Sequence, residues 1–204
     1  MKILYEDNHL LVVVKPPELL TQPSGTSQDS LESQAKSFIK KQDGKPGNVF
    51  LEAVHRLDKP VSGIVVFAKT SKALSRLNAA QRENKFRKIY HAVVEGHLTK
   101  KSGTLEHTLV HDHHRAKVDP KGKKAVLHYR VLQERENSTK IEVELETGRY
   151  HQIRAQFAHI GHPILGDVKY GGQISSEKGI ALQHVQIEFP HPITSELVIK
   201  SLIM

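Results

Sequence analysis

The sequence predicts an α+β fold: a mostly antiparallel, mixed β-sheet flanked by helices and loops. Three observations carry this. Short apolar runs rich in β-branched residues recur along the whole chain. Most follow one another across turn-forming residues, too closely for the crossover that parallel neighbours need. Only three stretches place apolar residues at helical spacing. No internal repeat or low-complexity tract interrupts this plan, and 204 residues suffice for a core of ordinary size. A single domain over residues 1–204 is the expectation.

Taken in order, Glu6-Asp7-Asn8 is a turn and Leu10 to Val14 the second arm of a hairpin that ends at Pro16-Pro17. Asp29 and Glu32 have the spacing of a capping box, and Leu31, Ala35, Phe38 and Ile39 then share one helical face up to Lys41. Lys45-Pro46-Gly47-Asn48 breaks the pattern. A strand from Phe50 to Val54, a polar loop from His55 to Ser62 and a strand from Gly63 to Ala68 follow. Ala73, Leu77 and Ala80 mark a second helix over 71–84, and Phe86 to Val94 is the next strand. Further strands are expected at Thr104–Val110, Lys124–Leu132, Thr139–Glu146, Gly179–Phe189 and Leu197–Ile203. The basic, histidine-rich stretch from His111 to Lys124 is poor in apolar residues and reads as a long exposed loop. Ile153, Phe157 and Ile160 set a third helix over 151–160, with His151, Arg154 and Ala158 on a stripe beside the apolar one.

Composition narrows the function. The net charge of +8 favours a polyanionic partner, because each phosphate neutralised by Lys or Arg releases a condensed counterion. The absence of cysteine excludes disulfides, thiolate metal sites and a cysteine nucleophile. Acidic residues near the start do not make a secretory signal, and the longest apolar runs are far too short to span a bilayer. The expectation is a cytoplasmic monomer that does not contact membranes. His107, His111, His113 and His114 are the densest group among fourteen histidines, but adjacent His113 and His114 would point to opposite sides of an extended chain and no carboxylate motif accompanies them. No metal site is read from them.

The loop His55-Arg56-Leu57-Asp58-Lys59-Pro60-Val61-Ser62-Gly63 sets a carboxylate between two cations. Flanking cations favour the ionised form of a carboxylate, the form that attacks as a nucleophile. On these residues alone, a structural Asp58–Arg56 pair that fixes the loop is the favoured reading. The loop resembles the His-Arg-Leu-Asp motif of RluA-type RNA pseudouridine synthases, with Ser62-Gly63 completing it. Arg87-Lys88-Ile89-Tyr90 is similar to that family's basic-x-Tyr element, and Thr147-Gly148-Arg149-Tyr150-His151-Gln152-Ile153-Arg154 to a third motif. The likeness runs on through residues 158–167, Tyr170-Gly171 and Phe189-Pro190-His191-Pro192, and so covers essentially the entire chain. One departure is Leu182-Gln183-His184, where relatives commonly carry Leu-His-Ala. Many relatives also have an amino-terminal S4 domain, whereas catalytic-domain strands are expected here almost from Met1.

The resemblance implies the pseudouridine synthase fold and isomerisation of uridine in ribosomal or transfer RNA, without metal or organic cofactor. Asp58 would attack either C1′ of the ribose or the uracil ring. Arg154 would pair with Asp58. Tyr90 would stack on the base and take the C5 proton, although an ordinary phenol titrates near about 10 and needs help to act as a base. Arg56 would hold the flipped nucleotide, Leu182 would line the uracil pocket, and Lys85, Arg87, Lys88, Lys121, Lys123 and Lys124 would meet phosphates. Two rival readings use the same residues: a hydrolytic nucleoside N-glycosidase, and a noncatalytic RNA-binding or assembly protein.

Overall fold

The computed structural model describes residues 1–25, 28–42, 44, 47–174 and 177–202. In chain order the elements are β1 (Lys2–Glu6), β2 (Leu10–Lys15), α1 (Leu31–Gln42), β3 (Glu52–Ala53), β4 (Ser62–Ala68), α2 (Ser71–Arg82), β5 (Arg87–Glu95), β6 (Ser102–Asp112), β7 (Arg115–Val118), β8 (Lys123–Arg135), β9 (Ser138–Leu145), α3 (Gln152–His159), a 3₁₀ turn (Val168–Tyr170), β10 (Leu182–Pro190) and β11 (Leu197–Ser201). The α+β, mostly antiparallel expectation is borne out, and each expected strand and helix is present. The last strand was expected to reach Ile203, and the break to begin at Lys45-Pro46; these three positions lie outside the described residues. Among the described residues no helix is long and apolar enough to cross a membrane.

The chain forms two compact units, one of Met1–Phe86 with Val185–Met204, the other of Arg87–His184. In the first, β2 pairs antiparallel with β1 on one side and β4 on the other, from Leu10 opposite Ala68 to Lys15 opposite Gly63. β3 adds to β4, and β11 pairs antiparallel with β10. The core joins Leu10, Val12, Ile64 and Val66 to Ala73, Leu77 and Ala80 of α2 and to Ile187 and Phe189, with Phe86 stacked on Phe189 at 5.2 Å. Thr70 caps α2 by accepting from the Ala73 amide. α1 is capped differently from expectation: Ser30 Oγ accepts from the Ser33 amide, while Glu32 pairs with Lys36 one turn on. Asp29 instead accepts from the Ser30 amide and the Gln34 side chain.

In the second unit the strand order is β5-β9-β8-β6-β7, antiparallel throughout. The stretch from His111 to Lys124 is not a loop. β6 runs to Asp112, a two-residue turn reverses the chain with His113 at φ 48°, and β7 pairs back, Asp112 opposite Arg115. Its few apolar residues suffice because they alternate: Ala116 packs with Leu109, Ala125 and Ala155, and Val118 lies against the same cluster. The second reversal closes on Gly122, where a Cβ would run into the Leu109 backbone. α3 is buried on nearly every side, from Gln152 through Phe157, rather than presenting a polar stripe to solvent.

Candidate functional site

In the first unit, Asp58 sits half-buried on the loop between β3 and β4, with Arg56 and Lys59 exposed on either side and Leu57 turned into the core. The loop is held by backbone contacts from several directions. Val61 donates its amide to the Asp58 carbonyl at 3.0 Å. His55 Nε2 accepts from the Val66 amide at 3.3 Å, which assigns the ring proton to Nδ1. Gly63 enters β4 at φ 121°, a conformation that L side chains rarely adopt.

Two holds come from further away. Thr21 Oγ1 donates to the Leu57 carbonyl and accepts from the Leu57 amide. Lys15, wholly buried at the end of β2, donates to the carbonyls of Pro16 and Lys59 at 3.0 Å and of Leu19 at 2.7 Å. Burial pushes the Lys15 ammonium down to about 8, against the opposing pull of the Asp58 and Glu18 carboxylates. Neither Lys15 nor Thr21 was singled out from sequence. For Lys15 a signal existed, a lysine closing an apolar strand just before Pro16-Pro17, since buried lysines are rare unless paired.

In the second unit, Tyr90 is buried on β5 and its ring stacks on His184 of β10, centroids 4.6 Å apart and planes 21° from parallel. Leu182 shares the face of β10 that carries His184, while Gln183 between them is exposed. Leu182 and Tyr90 are therefore placed around one neighbour. The Leu-Gln-His departure puts a buried ring, rather than a small residue, beneath the tyrosine.

Arg154, 4% exposed, projects from α3 into a polar cluster that sequence reading missed apart from the motif that contains it. Its Nε and Nη2 donate to the two carboxylate oxygens of buried Asp167 at 2.7 and 2.8 Å. This is the bidentate fork for which a planar guanidinium is suited. Nη1 lies 3.1 Å from His151 Nε2, and the guanidinium stands 5.0 Å from the centre of the Tyr170 ring. The tautomer follows: arginine only donates, so His151 Nε2 accepts and Nδ1 carries the proton, which goes to the Tyr170 hydroxyl at 2.9 Å. That hydroxyl also accepts from the Ala116 amide at 2.7 Å. Burial first, and then the Arg154 charge, pushes the His151 imidazole down to about 3.

The remaining residues of this motif shape the turn into α3. Gln152 accepts from the Thr147 hydroxyl and the Arg149 amide through Oε1 and donates to the Val126 carbonyl, tying the turn to β8. Tyr150 is exposed, stacked on His151 at 3.8 Å with His111 at 4.2 Å.

Of the cations expected to meet phosphates, Arg87 forks onto Glu144, Lys85 pairs with Glu83 and Lys124 with Glu106; Lys121 and Lys123 are exposed. Exposed single-bond pairs of this kind are weak, the bidentate Arg87 fork less so. Lys88 differs: its ammonium lies beside Gly148, and burial pushes it down to about 8. Among the described residues no three His, Cys, Asp or Glu side chains converge as a metal site, and His107 packs edge-on to His159 while bonding Gln156.

A family model described as RNA pseudouridylate synthase matches residues 9–159. YhcT of Bacillus subtilis (strain 168), described as an uncharacterized RNA pseudouridine synthase, is 36% identical over 204 residues, covering 98% of this chain and 67% of that protein. Ribosomal large subunit pseudouridine synthase D of Haemophilus influenzae is 35% identical over 222 residues, covering 97% of this chain and 65% of that one. The chain thus spans about two thirds of the length of the curated relatives it matches. Among solved structures, human RNA pseudouridylate synthase domain containing 4 has a TM-score of 0.83 at 21% identity, over 100% of this chain and 88% of that one. That likeness is one of fold, and it bears out the expected pseudouridine synthase fold.

Proposed function

The chain belongs to the RNA pseudouridylate synthase family, of the RluA type, and from that premise we propose that it isomerises uridines of structured RNA, ribosomal or transfer, to pseudouridine with Asp58 as nucleophile. The observation that carries the assignment is the treatment of the Asp58 loop. Thr21 and Lys15, from distant parts of the chain, hold the peptides on either side of Asp58, and Val61 closes the turn on its carbonyl. Such fixing suits a carboxylate that has to be aimed.

Pseudouridine formation breaks the bond from N1 to C1′, turns the uracil and rejoins it through C5, with no net redox change. A covalent carboxylate adduct divides that exchange into easier steps. By family resemblance Tyr90 stacks on the base and receives the C5 proton, Leu182 lines the pocket, Arg56 holds the flipped nucleotide and Arg154 is the cationic partner of Asp58. Two features support the roles in the second unit. The Asp167 fork on Nε and Nη2 and the Nη1 bond to His151 hold the buried Arg154 guanidinium in one orientation, as a fixed cationic partner requires. His184 braces one face of Tyr90, which suits a ring that must present a fixed surface.

The test is RNA carrying uridine tritiated at C5. Wild type is expected to release tritium to solvent and to yield pseudouridine, and Asp58→Ala to be slower by at least about a thousandfold. Equal release by both proteins would remove Asp58 from the reaction. Free uracil without pseudouridine would identify a hydrolytic N-glycosidase, and RNA binding without either product a noncatalytic protein.

A further inference from the structure

A carboxylate on a loop is aimed only as well as the peptide planes on either side of it. Thr21 is 4% exposed and lies 36 residues before Leu57. Its hydroxyl donates to the Leu57 carbonyl at 2.8 Å and accepts from the Leu57 amide at 3.1 Å. One hydroxyl has a donor and two acceptor lone pairs, so it can satisfy both backbone groups of one residue, as a neighbouring strand would. The Leu57 carbonyl belongs to the same peptide plane as the Asp58 amide. Holding it fixes the Asp58 Cα from the amino-terminal side, and the Lys15 bond to the Lys59 carbonyl holds the chain on the other side.

Thr21 is itself anchored. The Glu32 amide, in the first turn of α1, donates to the Thr21 carbonyl at 3.1 Å, and the Leu31 amide donates to that of Leu20 at 2.8 Å. A hydrogen-bonded path therefore runs from the start of α1 through Thr21 to the peptide that carries Asp58. We propose that Thr21 is a positioning residue for the reaction: it touches no substrate, and its hydroxyl sets the backbone from which Asp58 reaches the nucleoside. The inference rests on the assignment of Asp58 as nucleophile.

Valine matches threonine in shape but leaves the buried Leu57 amide and carbonyl without their partner, so the loop must shift to find others. A displacement of about 1 Å in a reacting group costs roughly a hundredfold in rate. Tritium release is measured against RNA concentration for wild type, Thr21→Val, Thr21→Ser, Asp58→Ala and Thr139→Val, at a temperature where circular dichroism shows each folded. Thr139 is a comparison in the second unit, a buried threonine whose hydroxyl donates to the Gly96 carbonyl at 2.7 Å.

The expected result is a kcat for Thr21→Val lower by about 10- to 100-fold, with KM within about threefold of wild type. Thr21→Ser keeps the hydroxyl and is expected within about threefold of wild type, and Thr139→Val to lose thermal stability while keeping its kcat. If Thr21→Val does not accumulate folded, Thr21→Cys, with similar bulk and a poor hydrogen-bonding thiol, takes its place with the same expected outcome. A wild-type kcat in Thr21→Val, a Thr21→Ser as slow as Thr21→Val, or an equal loss in Thr139→Val overturns the positioning role. With Asp58→Ala inactive, such a result overturns that role alone. An Asp58→Ala as fast as wild type overturns the nucleophile assignment and the inference with it.

Discussion

Burial pushes both Lys15 and His151 down, and the two side chains meet it differently. Lys15 is surrounded by three carbonyls that only accept, so its protonated form keeps every partner satisfied, whereas His151 faces the donating Nη1 of Arg154 and is held neutral. The pH consequence for His151 has a definite sign. Its imidazole titrates near 6.5 when unfolded and at about 3 in the folded chain, so between these values the unfolded state alone holds the proton. The associated stability is complete above about 6.5 and is lost as pH falls toward about 3, at no more than about 1.4 kcal/mol per pH unit from this one group. Melting temperatures followed from pH 7 to pH 4 should fall more steeply for wild type than for His151→Asn, and parallel curves would show that the group does not titrate as described. Beyond the hint of a lysine closing an apolar strand, these partners were not visible in sequence, because what holds Lys15 and His151 comes from positions as far as 44 and 19 residues away.

At the level of elements, the turn that closes on Gly122 depends on the absence of a side chain there. Gly122→Ala drives a Cβ into the Leu109 backbone, where no flexible atom can yield, and is expected to cost about 1–3 kcal/mol in urea denaturation. Gly47→Ala, with open space around it, should stay within about 0.5 kcal/mol of wild type. An unchanged midpoint for Gly122→Ala would contradict the observed turn. Regular elements were legible wherever apolar residues kept a period over several turns or pairs, as Ala73, Leu77 and Ala80 did for α2. β7 was not, because four residues with only Ala116 and Val118 apolar give too short an alternation inside so basic a stretch. The stripe that placed Arg154 beside His151 was legible, and its depth was not, because Gln152 and Arg154 are buried against partners on β8 and at Asp167 that only the fold supplies. Asp58, Tyr90 and Arg154 came from motif resemblance, and Thr21, Asp167 and His184 required the fold.

For the molecule as a whole, a net charge of +8 makes RNA affinity a function of ionic strength. Each neutralised phosphate contributes a slope of about −0.7 on single strands to −0.9 on a duplex in a plot of log affinity against log salt. Filter binding between 50 and 200 mM salt is expected to give a straight line with a slope of several of these units, and a flat line would mean that the basic surface does not meet the phosphates. The boundary between the two units has a separate consequence. Arg87–His184 is one continuous stretch set into the other unit, whose own core needs Ile187 and Phe189 beside Leu10 and Val12. During synthesis, the inserted segment has all of its own strands as soon as His184 clears the ribosome exit. The segment bearing Asp58, although made before it, must wait for β10 to complete its core, so a segment translated later has its parts in place sooner.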